Sequence, residues 1–437
     1  MNLTDKKVAV LGAGSSGKAA ARLAMVKGAQ VQVFDTSDSV TNWPDDISLV
    51  TGATVATGQS FDCDLVVISP GIETDCEFVK SFSRANNEII GELELACRYF
   101  SGKIIAITGT NGKTTTTSLI EKILTEAGIK AVACGNYGVP VADVVMREDM
   151  PEALALEVSS FQLETIKQFH PNIAIWLNFA PDHMDRYTKV EDYYQAKLRI
   201  FENQTDQDLA IVRAHEKLPE LRAKTETFST EDHDATLYYE GTKIMESGKE
   251  LVDLCDTTLF QRHNAENVMS AILATRQLGV SLDSIKKTLA SFAPPGHRCE
   301  VVRKLNDVLW LNDSKATNLH ALEAAVKSQD APVILIAGGK DKGLDYTPVT
   351  PLLKQKVKAC IVFGQITEQL YRDFSSVVPC FKASDVADCV SQAAKLAQAG
   401  DVVLFSPGTS SFDMFTGYVQ RGQAFRDAVN QLENPTL

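Results

Sequence analysis

The sequence predicts an α/β protein with three domains and mostly parallel sheets. Short apolar segments such as KIIAITG, IAIWLNF and PVILIAGG alternate with helical segments along almost the whole chain. Continuous apolar runs of this length are typical of strands that are buried on both faces of a parallel sheet. The 437 residues suffice for about three domains. Breaks near Gly91 and at Pro294-Pro295-Gly296 predict domains at 1–91, 92–294 and 295–437.

The composition argues against several classes of protein. The chain has 43 Lys and Arg against 56 Asp and Glu, a net charge of -13, which makes it a poor binder of nucleic acid because phosphate neutralisation needs a basic face. Its apolar runs are all well short of the roughly 20 residues of a membrane-spanning helix. The nine cysteines are scattered without a CxxC pair, so we expect reduced thiols and a cytoplasmic location.

The first candidate site is a glycine-rich turn near the N-terminus. Gly12, Gly14 and Gly17 follow the strand VAVLG in the spacing GxGxxG, and Asp35 ends the next strand. This is the dinucleotide-binding pattern of a Rossmann-like domain, in which a diphosphate lies at a helix N-terminus and the acid contacts a ribose or a base. The pattern leaves open NAD(P), another nucleotide diphosphate, or a purely structural tight turn.

The second candidate site is the loop from Gly109 to Thr115, with the sequence GTNGKTT. In a loop that ends in GK[ST], backbone amides hold phosphates, the lysine (here Lys113) reaches the β and γ oxygens, and the hydroxyl (here of Thr114) can bind Mg²⁺. Ile107 occupies the place of the first glycine, so the loop is shorter than in ordinary NTPases. The loop predicts a central domain like the P-loop ATPases; the alternative is a helix start with a fortuitous lysine.

Further polar residues follow other strands of the same region. Glu157 ends the strand ALALE, and His183 and Asp185 follow IAIWLNF. Each could be an ordinary ion pair or loop cap, but the carboxyl ends of parallel strands share one edge of a sheet, so we expect Glu157 and His183 near the phosphate loop. The spacing of Lys197 in YYQAKLRIF instead predicts a solvated lysine on an amphipathic helix.

Three polar segments follow strands in the last third of the chain. They are NDSKATN (312–318), GGKDKGLDY (338–346) and SPGTSSFDMFTGYVQRG (406–422). Hydroxyls, lysines and glycines gathered at strand ends suit an anionic ligand, and the alternative is a set of solvent loops rich in turn formers. We expect these segments to belong to a C-terminal Rossmann-like domain.

Taken together, the motifs resemble the Mur ligase family across essentially the whole chain. They occur in the family's order: GTNGKTTT, ALEVSSFQLE, DHMDRY, YQAKLRIF, HNAENV, GHRCEVV, NDSKATN and the SFDMF ending. The resemblance implies an ATP-dependent amide ligase that makes an acyl-phosphate intermediate in peptidoglycan precursor synthesis. The N-terminal turn, SPG at 69–71 and the ending resemble the branch that adds D-glutamate to UDP-N-acetylmuramoyl-L-alanine. Alternatives are another Mur or folylpolyglutamate-type ligase, an NAD-dependent oxidoreductase, or a non-catalytic nucleotide sensor.

The resemblance also implies roles for individual residues. The ATP site would comprise Gly109, Thr110, Asn111, Gly112, Lys113, Thr114, Thr115, Asn264, Arg298 and Asp313. The UDP-substrate would be held by Gly14, Ser15, Ser16, Asp35, Thr36, Ser69, Gly71, Asn136 and His183. D-glutamate would contact Thr317, Lys342, Ser411, Phe412 and Tyr418. The catalytic residues would be Lys113, Glu157, His183, Lys197 and Lys315.

The resemblance implies two Mg²⁺ ions as well. Their ligands would be Thr114, Glu157, His183 and Lys197, the last as a carbamate derived from CO₂. The glycine-rich N-terminal turn would then hold UDP rather than NAD. The expected partners are therefore small molecules, with no nucleic acid and no membrane span, and we expect a monomer.

Overall fold

The computed structural model describes residues 1–40, 43–184, 186–260, 262–294 and 296–432. Within these residues the chain forms three sheets of five, nine and six strands, with parallel pairing throughout most of each sheet. This confirms the predicted α/β class. The chain separates into two compact units, one of residues 1–260 with 264–292 and the other mainly of residues from 293 onward. The first unit contains the five- and nine-stranded sheets; the boundaries at residues 91 and 294 stay predictions.

The first sheet is entirely parallel. Its strands are β1 (Lys7–Leu11), β2 (Gln30–Phe34), β3 (Leu49–Val50), β4 (Leu65–Ile68) and β5 (Glu88–Gly91), and its helices are α1 (Ser15–Val26), α2 (Val55–Ser60) and α3 (Glu77–Ser81). The strand order β3-β2-β1-β4-β5 places β1 beside β4, where the direction of winding reverses. Ligands of open α/β sheets bind at such a point, and the loops after β1 and β4 meet there, since Ser69 Oγ donates to the Gly12 carbonyl at 3.4 Å.

The second sheet carries the phosphate loop on its central strand. Its elements are α4 (Glu92–Cys97), β6 (Lys103–Thr108), α5 (Lys113–Glu126), β7 (Ala131–Gly135), α6 (Val141–Val145), β8 (Ala153–Glu157), α7 (Ser160–Leu163), β9 (Ile173–Trp176), α8 (Val190–Leu198), a 3₁₀ turn (Arg199–Phe201), β10 (Leu209–Arg213), β11 (Lys224–Ser229), β12 (Leu237–Glu240), β13 (Lys243–Glu246), β14 (Lys249–Asp253), α9 (Arg262–Gln277) and α10 (Leu282–Ser291). The order β14-β13-β12-β11-β10-β9-β6-β8-β7 places β6 between β8 and β9. The antiparallel strands β12 to β14 form two consecutive hairpins at one end of this sheet.

The third sheet brings the three polar segments of the second unit to one edge. Its elements are β15 (Glu300–Leu305), β16 (Val308–Asn312), α11 (Leu319–Lys327), β17 (Val333–Gly338), a 3₁₀ turn (Thr347–Val349), α12 (Thr350–Lys356), β18 (Val357–Phe363), α13 (Thr367–Phe374), β19 (Cys380–Lys382), α14 (Val386–Leu396), β20 (Val402–Phe405) and α15 (Tyr418–Asn430). The order is β15-β16-β20-β17-β18-β19, with β15 antiparallel to β16. The strands β16, β20 and β17 are neighbours, and a polar segment follows each of them.

The structure bears on two features of the sequence, the proline run after residue 293 and the shortness of the apolar segments. Helix α10 ends at Ser291, shortly before Pro294, as the proline run predicts; Pro295 lies outside the described residues. Among the helices of the described residues, every one is too short or too polar to cross a lipid bilayer.

Candidate active site

The loop between β6 and α5 is built to receive phosphate groups. Gly112 has φ 86° and directly precedes α5. A Cβ there would lie 2.2 Å from Oδ1 of Asn267, so both the backbone conformation and the available space require glycine. Lys113 Nζ donates to the carbonyls of Gly109 at 2.7 Å and Thr110 at 2.9 Å. The loop therefore combines a lysine ammonium with the N-terminus of a 14-residue helix, an arrangement that suits a polyphosphate.

A buried carboxylate lies next to this loop. Glu157 is the last residue of β8, and its register partner on β6 is Ile107. Its side chain is 3% exposed; Oε2 accepts from Thr114 Oγ1 at 2.7 Å and Oε1 accepts from Asn136 Nδ2 at 2.7 Å. The structure thus brings together Thr114, Glu157 and Asn136, three residues that the sequence places in the site, from the neighbouring strands β6, β8 and β7 and the segments that follow them.

Two asparagines that the sequence analysis missed shape the phosphate loop. Asn178 follows β9, and its side chain exchanges hydrogen bonds with the backbone of Asn111, at 2.9 Å to the amide and 3.1 Å to the carbonyl. Asn267 on α9 accepts from Thr116 Oγ1 at 3.2 Å and donates to Asn264 Oδ1 at 3.3 Å. Asn178 could have been identified, because it follows the strand next to β6. Asn267 lies in the quoted HNAENV motif, but its contact with α5 depends on tertiary packing.

Lys197 contradicts the solvated position that its spacing predicts. Its side chain is 1% exposed, because the face of α8 that carries it packs against the phosphate loop. Nζ donates to the Gly109 carbonyl at 2.9 Å and to Thr108 Oγ1 at 3.4 Å, and it lies 4.9 Å from the ring centre of Tyr193. The prediction of a solvated lysine is therefore wrong, since an amphipathic pattern cannot show which loop the helix covers.

The two lysines of this site share one acceptor. The Nζ atoms of both Lys113 and Lys197 donate to the Gly109 carbonyl oxygen, so two ammonium groups would lie close together in a buried place. The pKa of Lys197 lies well below its ordinary value, first because of burial and second because of repulsion by Lys113; the carboxylates of Asp182 and Glu157 oppose this shift. The arrangement favours a neutral amine at Lys197.

His183 lies in the loop after β9 and has left-handed backbone geometry, with φ 56°. Its backbone amide donates to Asp182 Oδ1 at 2.8 Å, and its ring packs edge-on against Phe161 with the centres 4.9 Å apart. Arg186 in the same loop donates to the Pro70 carbonyl at 2.8 Å and to Glu164 Oε2 at 2.6 Å. This loop is thereby joined to the SPG segment after β4. Asp185 lies outside the described residues.

In the N-terminal turn, glycine is required at Gly17. A Cβ there would lie 1.9 Å from the Gly12 carbonyl oxygen, which explains the close approach of α1 to β1. Asp35 holds the turn from the other side: its carboxylate accepts from the amides of Ala13 at 2.7 Å and Ser37 at 2.8 Å. Other residues that the sequence assigns to the UDP-substrate are exposed: Gly14, Ser15, Thr36, Gly71 and Asn136.

In the second unit, Asp313 is a buried carboxyl that directly follows β16. It accepts from Ser406 Oγ at 2.9 Å and from the Cys299 amide at 3.2 Å. Burial raises its pKa to about 7, an effect that Arg298 opposes together with these hydrogen bonds. Asp313 and Arg298, which the sequence assigns to one site, therefore lie near each other.

The residues assigned to D-glutamate lie on the three segments at this edge. Lys342 Nζ donates to the Thr317 carbonyl at 3.1 Å, and Lys315 Nζ lies 4.3 Å from the ring centre of Tyr418. Two basic groups thus project from this edge, each against a residue of the same predicted site.

Ser411 and Phe412 lie at different depths of the last segment. Ser411 is buried, whereas Phe412 is 64% exposed and lines a cleft of about 560 Å³ together with Lys340, Gln365 and Asp413. Phe412 is therefore free to contact a molecule that enters the cleft, while the buried hydroxyl of Ser411 lies beneath the surface of the segment.

Arg421 is a buried cation that the sequence analysis missed. Its side chain is fully buried, and it donates to the Ser314 carbonyl at 2.8 Å, to Ser314 Oγ at 3.1 Å and to the Thr409 carbonyl at 3.0 Å. Burial lowers its pKa to about 10, so the guanidinium remains charged at neutral pH. It fixes the segment 312–318 against the segment 406–422. Its position in the first turn of α15 carried no signal, because a buried arginine and a surface arginine look alike in sequence.

The chain matches three sequence models that together cover most of its length. They are the Mur ligase MurD-like N-terminal domain at residues 6–91, the Mur ligase middle domain at 107–275 and the Mur ligase glutamate ligase domain at 297–408. The UDP-N-acetylmuramoylalanine--D-glutamate ligase of Geotalea uraniireducens is 36% identical over 449 residues, covering 99% of each chain. The protein of the same name from Acidobacterium capsulatum is 38% identical over 447 residues, covering 98% of this chain and 97% of that protein.

Two solved structures share the fold. UDP-N-acetylmuramate-alanine ligase MurC from Thermotoga maritima superposes with a TM-score of 0.61 at 17% identity, covering 97% of this chain and 99% of that chain. MurF ligase from Thermotoga maritima, in complex with ADP, superposes with a TM-score of 0.61 at 17% identity, covering 98% and 96%. At this level of identity the likeness concerns the fold alone.

Proposed function

The chain belongs to the Mur ligase family, and we propose that it joins D-glutamate to UDP-N-acetylmuramoyl-L-alanine at the expense of ATP, in the cytoplasm, as a step of peptidoglycan precursor synthesis. Relatives named for this activity match it from end to end at 36% and 38% identity. The observation that carries the proposal is the site around the phosphate loop. There Lys113, Thr114 and Glu157 converge beside the buried Lys197.

The reaction requires activation of a carboxylate. An amine does not displace oxide from a carboxylate, whereas an acyl phosphate made with ATP has a good leaving group. The D-glutamate nitrogen then attacks the acyl carbon, loses a proton and displaces phosphate, so that one amide, ADP and phosphate result. Catalysis of this kind depends on positioning and on neutralising charge. Lys113 and the first amides of α5 supply both for the nucleotide phosphates.

The residues of the site fit Mg²⁺. The Glu157 carboxylate and the Thr114 hydroxyl are hard oxygen ligands next to the phosphate loop. In this proposal Thr114, Glu157, His183 and a modified Lys197 would hold the ion together with oxygens of the substrates. When bound, Mg²⁺ would neutralise charge between phosphate and carboxylate.

A carbamate on Lys197 accounts for its burial. Because two amines share the Gly109 carbonyl, repulsion favours loss of the proton from Lys197. The neutral amine can attack CO₂, forming an N–C bond and releasing a proton. The product is an anion, so that a pair of like charges with Lys113 becomes a pair of opposite charges. The anion would lie in the same site as Thr114 and Glu157 and could act with them as a ligand for Mg²⁺.

Residues of the second unit supply the acceptor site in this proposal. D-glutamate carries two carboxylates, and Lys342 with Thr317 would hold the α-carboxylate while Lys315 steadies the acyl phosphate. The exposed ring of Phe412 would contact the amino-acid side chain, with Ser411 and Tyr418 beside it.

The test is release of phosphate from ATP in the presence of Mg²⁺ and UDP-N-acetylmuramoyl-L-alanine, with a panel of amino acids. D-glutamate should support release, whereas L-glutamate, L-alanine and diaminopimelate should not. If another amino acid supports release and D-glutamate gives no more than buffer, the substrate assignment is wrong. Glu157→Gln serves as the matched control, because it keeps the shape of the site and removes the carboxylate. Energy transfer between the protein and a reduced nicotinamide cofactor, seen by fluorescence when the two are mixed, would instead favour the NAD-dependent oxidoreductase.

A further inference from the structure

Two cysteines of the second unit face each other across neighbouring strands. β18 and β19 are parallel, and Cys360 is the register partner of Cys380. Neighbouring strands lie about 4.8 Å apart, which falls inside the range of about 4.4–6.8 Å between α-carbons that a disulfide can bridge. The Cys360 amide donates to the Pro379 carbonyl at 2.9 Å, so the two strands are held in register at this point.

Both thiols lie on the same face of the sheet. The side chains of Cys360 and Cys380 pack with one hydrophobic cluster, whereas Cys389 of α14 packs with the cluster on the other face. Cys360 is fully buried, and Cys380 is partly exposed on the edge strand β19. The pair therefore combines a partly exposed cysteine on the edge strand with a fully buried cysteine on the neighbouring strand.

The two thiols also interact. Hydrogen bonding by the Cys360 thiol lowers the pKa of Cys380, and burial raises the pKa of Cys360 well above its ordinary value. The partly exposed sulfur is thus the one that becomes a thiolate more readily, and the thiolate is the reactive form.

We propose that Cys360 and Cys380 form a reversible thiol–disulfide site that reacts with small disulfides of the glutathione class. The Cys380 thiolate attacks one sulfur of the small disulfide, forming a mixed disulfide and releasing one thiolate. The Cys360 thiol then loses its proton and attacks the Cys380 sulfur, which forms the internal bond and releases the second small thiol. Two electrons pass from the protein to the small disulfide, and the exchange reverses with excess thiol.

The bond would join two strands that lead into one wall of the cleft beside Phe412. β18 runs into Gly364 and Gln365, and β19 runs into Ala383 and Ser384; all four residues line the cleft. Oxidation would therefore link β18 covalently to β19 and restrict the relative movement of the two segments that line this side of the cleft.

The experiment incubates the folded, reduced protein with glutathione disulfide, blocks the remaining thiols and digests with trypsin. Cleavage after Lys358, Arg372 and Lys382 separates the two cysteines into peptides 359–372 and 373–382. We expect mass spectrometry to find these peptides linked, with the loss of two hydrogens, and dithiothreitol to separate them. Absence of this linked pair from the folded protein would overturn the proposal.

Three variants make the result specific. Cys389→Ser, which removes a thiol from the opposite face, should leave the linked pair unchanged. Cys380→Ser should abolish it, and Cys360→Ser should leave a stable glutathione adduct on Cys380. Linkage of Cys380 to other cysteines as often as to Cys360 would contradict the assigned pair. Should Cys360→Ser fail to fold, the comparison of the other two variants still decides the question.

Discussion

Substitution of Lys197 tests the site most directly, because the structure predicts that turnover falls in every variant whereas stability depends on which side chain replaces the lysine. Lys197→Met keeps the length and apolar packing of the side chain. It removes two hydrogen bonds of about 1 kcal/mol each, but it also removes the cost of burying an amine of lowered pKa. These terms oppose each other, so the free energy of unfolding should change by no more than about 1 kcal/mol.

Lys197→Ala differs from Lys197→Met by the space it leaves. Loss of three methylene groups at about 0.8 kcal/mol each predicts destabilisation of about 2.4 kcal/mol or more, because the side chain is buried. Turnover should fall by at least about 10²-fold in both variants, the usual effect of removing one charge-stabilising group. Acetate or formate should restore part of the activity in the Ala variant alone, since only that variant has room for a carboxylate.

The measurements are phosphate release and chemical denaturation. Lys189→Met, at an exposed position just before the same helix, is the matched control and should change neither quantity. Full turnover in Lys197→Met would refute the role of the lysine in the reaction. Equal rescue of the Met and Ala variants by acetate would refute the carbamate, because the effect would then not depend on the vacated space.

Three further predictions concern the rest of the first unit. Gly17→Ala should destabilise the protein by about 1–3 kcal/mol, because the new methyl would lie 1.9 Å from the Gly12 carbonyl oxygen; Gly14→Ala, with open space around it, should leave the thermal midpoint unchanged. Glu157→Gln should lower turnover by about 10²-fold or more and leave the free energy of unfolding, measured without ATP, unchanged. An unchanged rate would exclude a catalytic role of Glu157. Burial raises the pKa of Glu92 to about 7 from 4.5, so the folded state prefers the protonated form and the free energy of unfolding should fall as the pH rises through that range. Glu92→Gln should lessen this fall in denaturation curves, and an identical pH dependence would contradict the argument.

The predictable part of the fold follows from local patterns. Apolar runs such as KIIAITG and DVVLFSPG form the strands β6 and β20, because a strand covered on both faces must be apolar along its whole length. Shorter or more polar strands escaped the analysis: β19 has three residues, and β11 reads KTETFS. Their pairing depends on neighbouring strands rather than on their own sequence.

The predictable part of the site consists of residues whose backbone geometry or strand position is special. Gly112 and Gly17 could be identified because only glycine tolerates such turns and close approaches. Glu157 could be identified because it ends a strand. Lys197 could be assigned only through the resemblance to the family, since its burial is set by the loop that α8 covers.

The sequence by itself determined the α/β class, the two glycine-rich turns and the family to which the chain belongs, because each of these rests on residues close together along the chain. The tertiary structure alone decided which side chains are deprived of water. It buries the amine of Lys197 beside Lys113, surrounds the guanidinium of Arg421 with carbonyl oxygens and sets the thiol of Cys360 against that of Cys380. The physical reason is that desolvation and repulsion depend on distances between residues far apart in the chain, and these distances are fixed only when the sheets and helices pack.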